Sequence, residues 1–158
     1  MRNFDLLVLW MSNWNSYEQY LAEHGTLTYT FKGVSMNPML KQGRDLFTVR
    51  KKTDERCRKY DVVLYRRPPG QYVLHRIVEV REGDYVILGD NCIAKEYGIK
   101  DEDIIGVLTA FVRKGKTISV NNRRYRAYCH IWVGIYPLRM FMKKVTGKLR
   151  RMLKRILQ

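Results

Sequence analysis

Asp61-Val-Val-Leu-Tyr65-Arg-Arg-Pro-Pro-Gly70-Gln-Tyr-Val-Leu-His75-Arg-Ile-Val-Glu-Val80 sets two runs of β-branched, leucine and aromatic residues on either side of Pro68-Pro69-Gly70. Such runs fit a half-buried pleated surface, and proline and glycine stop them. The segment therefore predicts strands over 61–65 and 72–80 joined as a hairpin through Arg67 to Gly70. The same pattern extends outward. Downstream, Tyr85-Val-Ile-Leu88 follows the turn Glu82-Gly83-Asp84, and Ile104 to Val112 and Thr117 to Val120 flank Lys114-Gly115-Lys116. Upstream lie a strand over 46–50 and the alternating Thr26-Leu-Thr-Tyr-Thr-Phe31. Many short strands at near-regular spacing predict a mainly β, coiled or barrel-like body.

The ends read differently. Leu6, Leu9, Trp10, Trp14, Tyr17 and Leu21 recur at helical spacing and predict a helix over 4–24, stopped by Gly25. From Pro137, a good first helical residue, apolar side chains fall at 138, 141, 142, 145, 149, 152, 153, 156 and 157. Lys/Arg at 139, 143, 144, 148, 150, 151, 154 and 155 take mainly the other faces, which predicts a basic amphipathic helix. The expected organisation is a helix over 1–25, a β body over 26–122 and a basic amphipathic tail over 123–158.

Composition is that of a folded chain: 46% of the 158 residues are hydrophobic, enough to bury one core. The net charge of +15 is unevenly placed. Residues 113–158 hold 14 Lys/Arg and no Asp or Glu, leaving 16 basic against 15 acidic residues in 1–112. A near-neutral body with a basic tail points to a polyanion or an anionic membrane surface. Cys57, Cys92 and Cys129 are scattered and odd in number. They predict neither zinc nor a disulfide framework, and favour a reducing compartment. The apolar run Leu6 to Met11 is six residues long, and His130, Pro137 and Arg139 interrupt Ala127 to Met142. A span needs about 20 apolar residues, so neither a membrane-crossing helix nor a cleavable leader is expected.

Three segments could carry chemistry. In Gly33-Val-Ser35-Met36-Asn37-Pro38-Met39-Leu40 a serine sits in a turn bounded by glycine and proline, just after a strand. In Tyr72 to Val80 a histidine interrupts an otherwise apolar strand, and its pKa range suits it to take a hydroxyl proton. Gly89-Asp90-Asn91 is a polar turn at a strand end, with Glu96 following; a carboxylate there could orient the imidazole. Taken singly, each also reads as an ordinary turn or core residue.

In order, however, these segments resemble the serine peptidase clan of signal peptidase I and the LexA-type self-cleaving repressors. Gly33-x-Ser35-Met36-x-Pro38-Met39-Leu40 matches the nucleophile box of that clan, His75-Arg76-Ile77 the base box and Gly89-Asp90-Asn91 the last box. Lys41-Gln-Gly-Arg-Asp45-Leu-Phe-Thr-Val49, Tyr60-Asp61-Val-Val-Leu-Tyr65 and Asp103-Ile-Ile-Gly106-Val107 are similar to the intervening strands, with Arg44 inserted and Tyr60 in place of a glycine. The resemblance spans about residues 31–112. It implies a signal-peptidase-type β fold and a serine endopeptidase cleaving signal or leader peptides, with no cofactor or metal. Ser35 would be nucleophile and His75 base, as in the endoplasmic-reticulum and archaeal type, where most bacterial members use lysine. Asp90 or Glu96 would orient His75, and Gly33, Met36 and Pro38 would line the substrate, bound as an added strand. The alternative is an inactive peptidase-like binding module at a membrane or partner surface.

The partners expected are a peptide or preprotein and an anionic membrane surface reached through Trp132, Lys143, Lys144, Arg150, Arg151, Lys154 and Arg155. Nucleic acid is not expected, because no nucleic-acid motif accompanies the charge. These readings place the protein in the cytoplasm or peripherally on the cytoplasmic membrane face. The C-terminal helix could instead be a solvated face packed on its own domain, and the N-terminal one could pack on the β body, touch a membrane or dock a partner.

Overall fold

A computed structural model of the chain describes residues 16–156, with side chains described as far as Gly147 and at Met152. Most of the helix expected over 4–24, with Leu6, Leu9, Trp10 and Trp14, lies outside the described residues. Its last two turns are α1 (Tyr17–His24). Ser16 caps it, its hydroxyl accepting from Gln19 N–H at 3.1 Å. Gly25 closes it at φ 73, a left-handed value that suits glycine, and donates to Leu21 O. The described residues divide into two compact units between Val120 and Asn121.

The first unit is mainly β. Its strands are β1 (Thr26–Thr30), β2 (Leu46–Lys51), β3 (Val62–Arg67), β4 (Gln71–Val80), β5 (Tyr85–Leu88), β6 (Glu96–Ile99), β7 (Ile104–Arg113) and β8 (Lys116–Ser119). They form one antiparallel sheet in the order β1-β2-β7-β3-β4-β5-β6, with β8 paired to β7. The ten-residue β7 carries β2 along one edge. Its other edge pairs with β3 near Ile104 to Val107 and with β8 from Ala110 to Arg113. Register shifts at Thr48/Val49, Leu64/Tyr65 and Ile77/Glu79 add bulges, which strengthen the twist of a sheet.

The sheet stays open. A closed barrel would pair the terminal strands β1 and β6, and among the described residues these are not neighbours. Both are short, and the four residues of β6 include Gly98 at φ 74, so the edge has little ladder to offer. The barrel-like expectation is corrected to an open, bulged sheet.

Burial follows strand position. Val62 to Tyr65 and Tyr85 to Leu88 are buried at every residue, as strands covered on both faces are. On one face Cys57, Val63, Tyr65, Ile77, Tyr85, Ile87, Ile104 and Val107 form a core cluster. The register sets His75 opposite Val63, on this face and two residues from Ile77. Arg76, opposite Val62, points the other way.

The second unit holds α2 (Arg123–Gly134) and α3 (Tyr136–Ile156). Asn122 caps α2, its Oδ1 accepting from Arg124 and Tyr125 N–H. Tyr125, Tyr128 and Trp132 stack along it at helical spacing. No described helix is long and apolar enough to cross a membrane.

Candidate active site

Ser35 lies in the connection from β1 to β2, where the chain makes tight turns: Asn37 N–H donates to Val34 O and Leu40 N–H to Met36 O. Met36, Met39 and Leu40 are buried and hold this segment from inside, while Val34 is exposed and Ser35 half-buried. Met36 thus supports the turn and has no surface to line a substrate. Pro38 is half-buried. Gly33 sits at φ 92 with open space beside its Cα, and its N–H donates to Gln42 Oε1 at 2.7 Å. Among the described residues, the Ser35 hydroxyl and N–H make no hydrogen bond; the carbonyl accepts from Asn91 N–H at 2.6 Å.

That bond docks the turn after β5 onto the serine segment, and Asn91 Nδ2 adds a second link to Val34 O. The docking depends on Gly89. A methyl group placed on it would lie 2.8 Å from His75 Nε2, 2.9 Å from Ser35 O and 2.6 Å from Cys92 Sγ. His75 Nε2 and Ser35 O are both that close to one point, so they stand less than about 6 Å apart. Glycine is needed here for close approach, a role the sequence signalled only as a turn.

The other ring nitrogen is held by a carboxylate. Glu96 begins β6 opposite Ile87, which in turn pairs with Ile77 on β4. Those pairings carry Glu96 to the face of His75, with Oε1 3.1 Å from Nδ1. Arg67 Nη1 reaches Glu96 Oε2 at 3.3 Å, and the Tyr65 hydroxyl lies 3.4 Å from Nδ1, near the Glu96 carboxylate. Burial and that carboxylate push the Tyr65 pKa far up, so the phenol stays a donor. Burial pushes the His75 pKa below its ordinary 6.5, while Glu96 pulls it back up. The balance leaves a ring that is neutral near pH 7, with Nδ1–H donated to Glu96 and the lone pair on Nε2, the nitrogen beside Gly89.

Asp90 is placed differently. Its oxygens take a two-pronged grip from Arg76, with Nε and Nη2 each at 2.8 Å, and the pair is wholly buried. Arg76 also donates to Tyr60 O at 3.1 Å and meets Met39 Sδ at 3.1 Å. One guanidinium therefore ties together the serine segment, the approach to β3 and the turn after β5, on the face of β4 opposite His75. Tyr60, where the resemblance has glycine, adopts φ 80, so the backbone there needs a left-handed residue.

In the second unit Trp132 is stacked on Tyr128 and under the Arg139 guanidinium, 4.1 Å from its centroid. Lys143 is half-buried and Lys144 exposed. The side chains of Arg150, Arg151, Lys154 and Arg155 are outside the described set. Comparison with known proteins found no family model, curated protein or solved structure that matches the chain.

Proposed function

We propose that the protein is a serine endopeptidase of the signal-peptidase type, with Ser35 as nucleophile, His75 as base and Glu96 as the group that orients His75. The observation that carries this reading is the histidine: buried, Nδ1 on Glu96, and Nε2 sharing with Ser35 the space beside Gly89. The ordered motifs of residues 31–112 support the same assignment. Asp90 becomes a structural partner of Arg76.

The chemistry runs as follows. Ser35 Oγ attacks a peptide carbonyl while its proton passes to His75 Nε2. Glu96 stabilises the resulting imidazolium through Nδ1–H. The Ser35 N–H is available to the carbonyl oxygen as negative charge develops there. Nε2–H then protonates the leaving amine as the C–N bond breaks, leaving an acyl ester on Ser35. A water molecule gives its proton to Nε2, adds to the ester and releases the acid, and Ser35 regains its proton.

Mass-spectrometric labelling with a fluorophosphonate tests this. Ser35 is the expected site, and Ser35→Ala or His75→Ala should abolish labelling with the thermal melt intact. Labelling that persists in both variants refutes the assignment. A folded wild-type chain that never reacts supports the inactive binding module instead.

A further inference from the structure

We propose that α3 is an interfacial helix that lies on an anionic lipid surface with its apolar arc in the lipid. The placement follows from helix geometry. At 100° per residue, positions 138, 141, 142, 145, 149, 152, 153 and 156 fall within an arc of about 120°. Every Lys/Arg of the helix falls in the remaining part, and no acidic residue occurs anywhere from 113 to 158.

The described side chains of the apolar arc are uncovered. Leu138, Phe141, Met142, Val145 and Met152 are 46 to 63% exposed. Among the described side chains of the helix, the buried one is Met140, which belongs to the opposite side by position. The apolar stripe is therefore not the face this helix uses to pack. Five large exposed apolar side chains in one row are costly to leave in water and mark a binding surface.

Charge selects the occupant. A second copy packed arc to arc would gather sixteen Lys/Arg on one helix pair, with no acid in either helix to offset them. Nucleic acid would satisfy the charge and leave the apolar arc in water. An anionic bilayer satisfies both, because headgroups meet the basic side and the arc enters the headgroup–acyl boundary. The helix is about 31 Å long, and its charges keep it in the plane of the surface. Trp132, engaged by Tyr128 and Arg139, is replaced by Phe141 as the aromatic that enters lipid. The inference stands independently of the peptidase reading.

Co-sedimentation of the full chain with vesicles tests it. Mixed phosphatidylcholine–phosphatidylglycerol vesicles should bind at least about tenfold more tightly than phosphatidylcholine alone, and salt should weaken the binding. Leu138→Asp combined with Phe141→Asp should lose at least about tenfold while the thermal melt stays unchanged, since both residues are exposed. If the pair lowers the melt, Leu138→Gln with Phe141→Gln replaces it. Equal binding to both vesicle types overturns the proposal. So does unchanged binding by the apolar-arc variants, the result expected of a polyanion site. A dimer in light scattering that those variants dissociate overturns it as well, assigning the arc to a second copy.

Discussion

Gly89→Ala gives the sharpest test of the site's geometry. The φ of Gly89 lies outside the left-handed region, so alanine meets no backbone strain and the whole effect comes from one methyl group. That methyl would stand 2.6 Å from Cys92 Sγ, 2.8 Å from His75 Nε2 and 2.9 Å from Ser35 O. Comfortable contact requires about 3.5–4.0 Å, so each neighbour must retreat by roughly 0.6 Å or more. The serine segment is pinned by Asn91, and the imidazole is held by Glu96. Their separation grows whichever yields. A misplacement approaching 1 Å costs about 10²-fold in rate, or about 2.7 kcal/mol of transition-state stabilisation. Overpacking should also cost about 1–3 kcal/mol of stability. Two measurements read this: the rate of fluorophosphonate labelling at Ser35, and the NMR shift and titration midpoint of His75, which need no turnover. Adding Cys92→Ala removes the nearest clash and should restore part of the lost stability but not the full rate, because the contacts with His75 and Ser35 remain. A Gly89→Ala chain with wild-type melt, wild-type His75 titration and wild-type labelling would refute the convergence on Gly89.

Further outcomes follow from the same structure. If the neutral imidazole is the base, as proposed, labelling should rise with pH through a midpoint below 6.5, because burial depresses its pKa; stability should fall as pH drops from 6.5 through that midpoint, because the unfolded chain takes the proton more readily, and a melt that is flat over this range would contradict the burial of His75. Glu96→Gln removes the group that raises the His75 pKa, so the midpoint should move lower still and the rate should fall by about 10²-fold; a higher midpoint would show that Glu96 does not act on His75. Asp90→Ala leaves the Arg76 charge buried without its carboxylate and should cost about 3–5 kcal/mol in denaturant unfolding, whereas Tyr60→Gly relieves φ 80 and should gain about 0.5–1 kcal/mol, net of the glycine's greater chain entropy.

Most of the sheet was legible because its strands are apolar enough to betray their period. Val62 to Tyr65 and Tyr85 to Leu88 are runs that only a doubly covered strand explains. β6 was not read. Glu96-Tyr-Gly-Ile99 is four residues with a charge and a left-handed glycine, so its extended form is imposed by pairing with β5 and not by propensity. This is also why the sequence left Asp90 and Glu96 as alternatives: choosing between them requires the register that puts Glu96 in line with Ile87 and Ile77. The two-residue period of β4 held part of the answer, since adjacent His75 and Arg76 must face opposite sides and so take different carboxylates. The α2 helix was missed although Asn122 and the spacing of Tyr125, Tyr128 and Trp132 mark it. Its aromatic run read as apolar content and not as a helix face.

The place of β7 in the sheet bears on when this protein can work. Ser35 belongs to the β1–β2 half, while His75 and Glu96 belong to the β3–β6 half, and β7 lies between the halves in the sheet. In a chain emerging from the ribosome, everything named in the site is already synthesised by residue 96, yet the two halves have no strand to join them until residues 104–113 follow. Such a long-range closure is a slow, late event. Ser35 and His75 are therefore brought into register only once the domain is nearly complete. Under the proposed peptidase reading, competence would then certify finished folding, and a truncated or half-made copy would stay chemically silent.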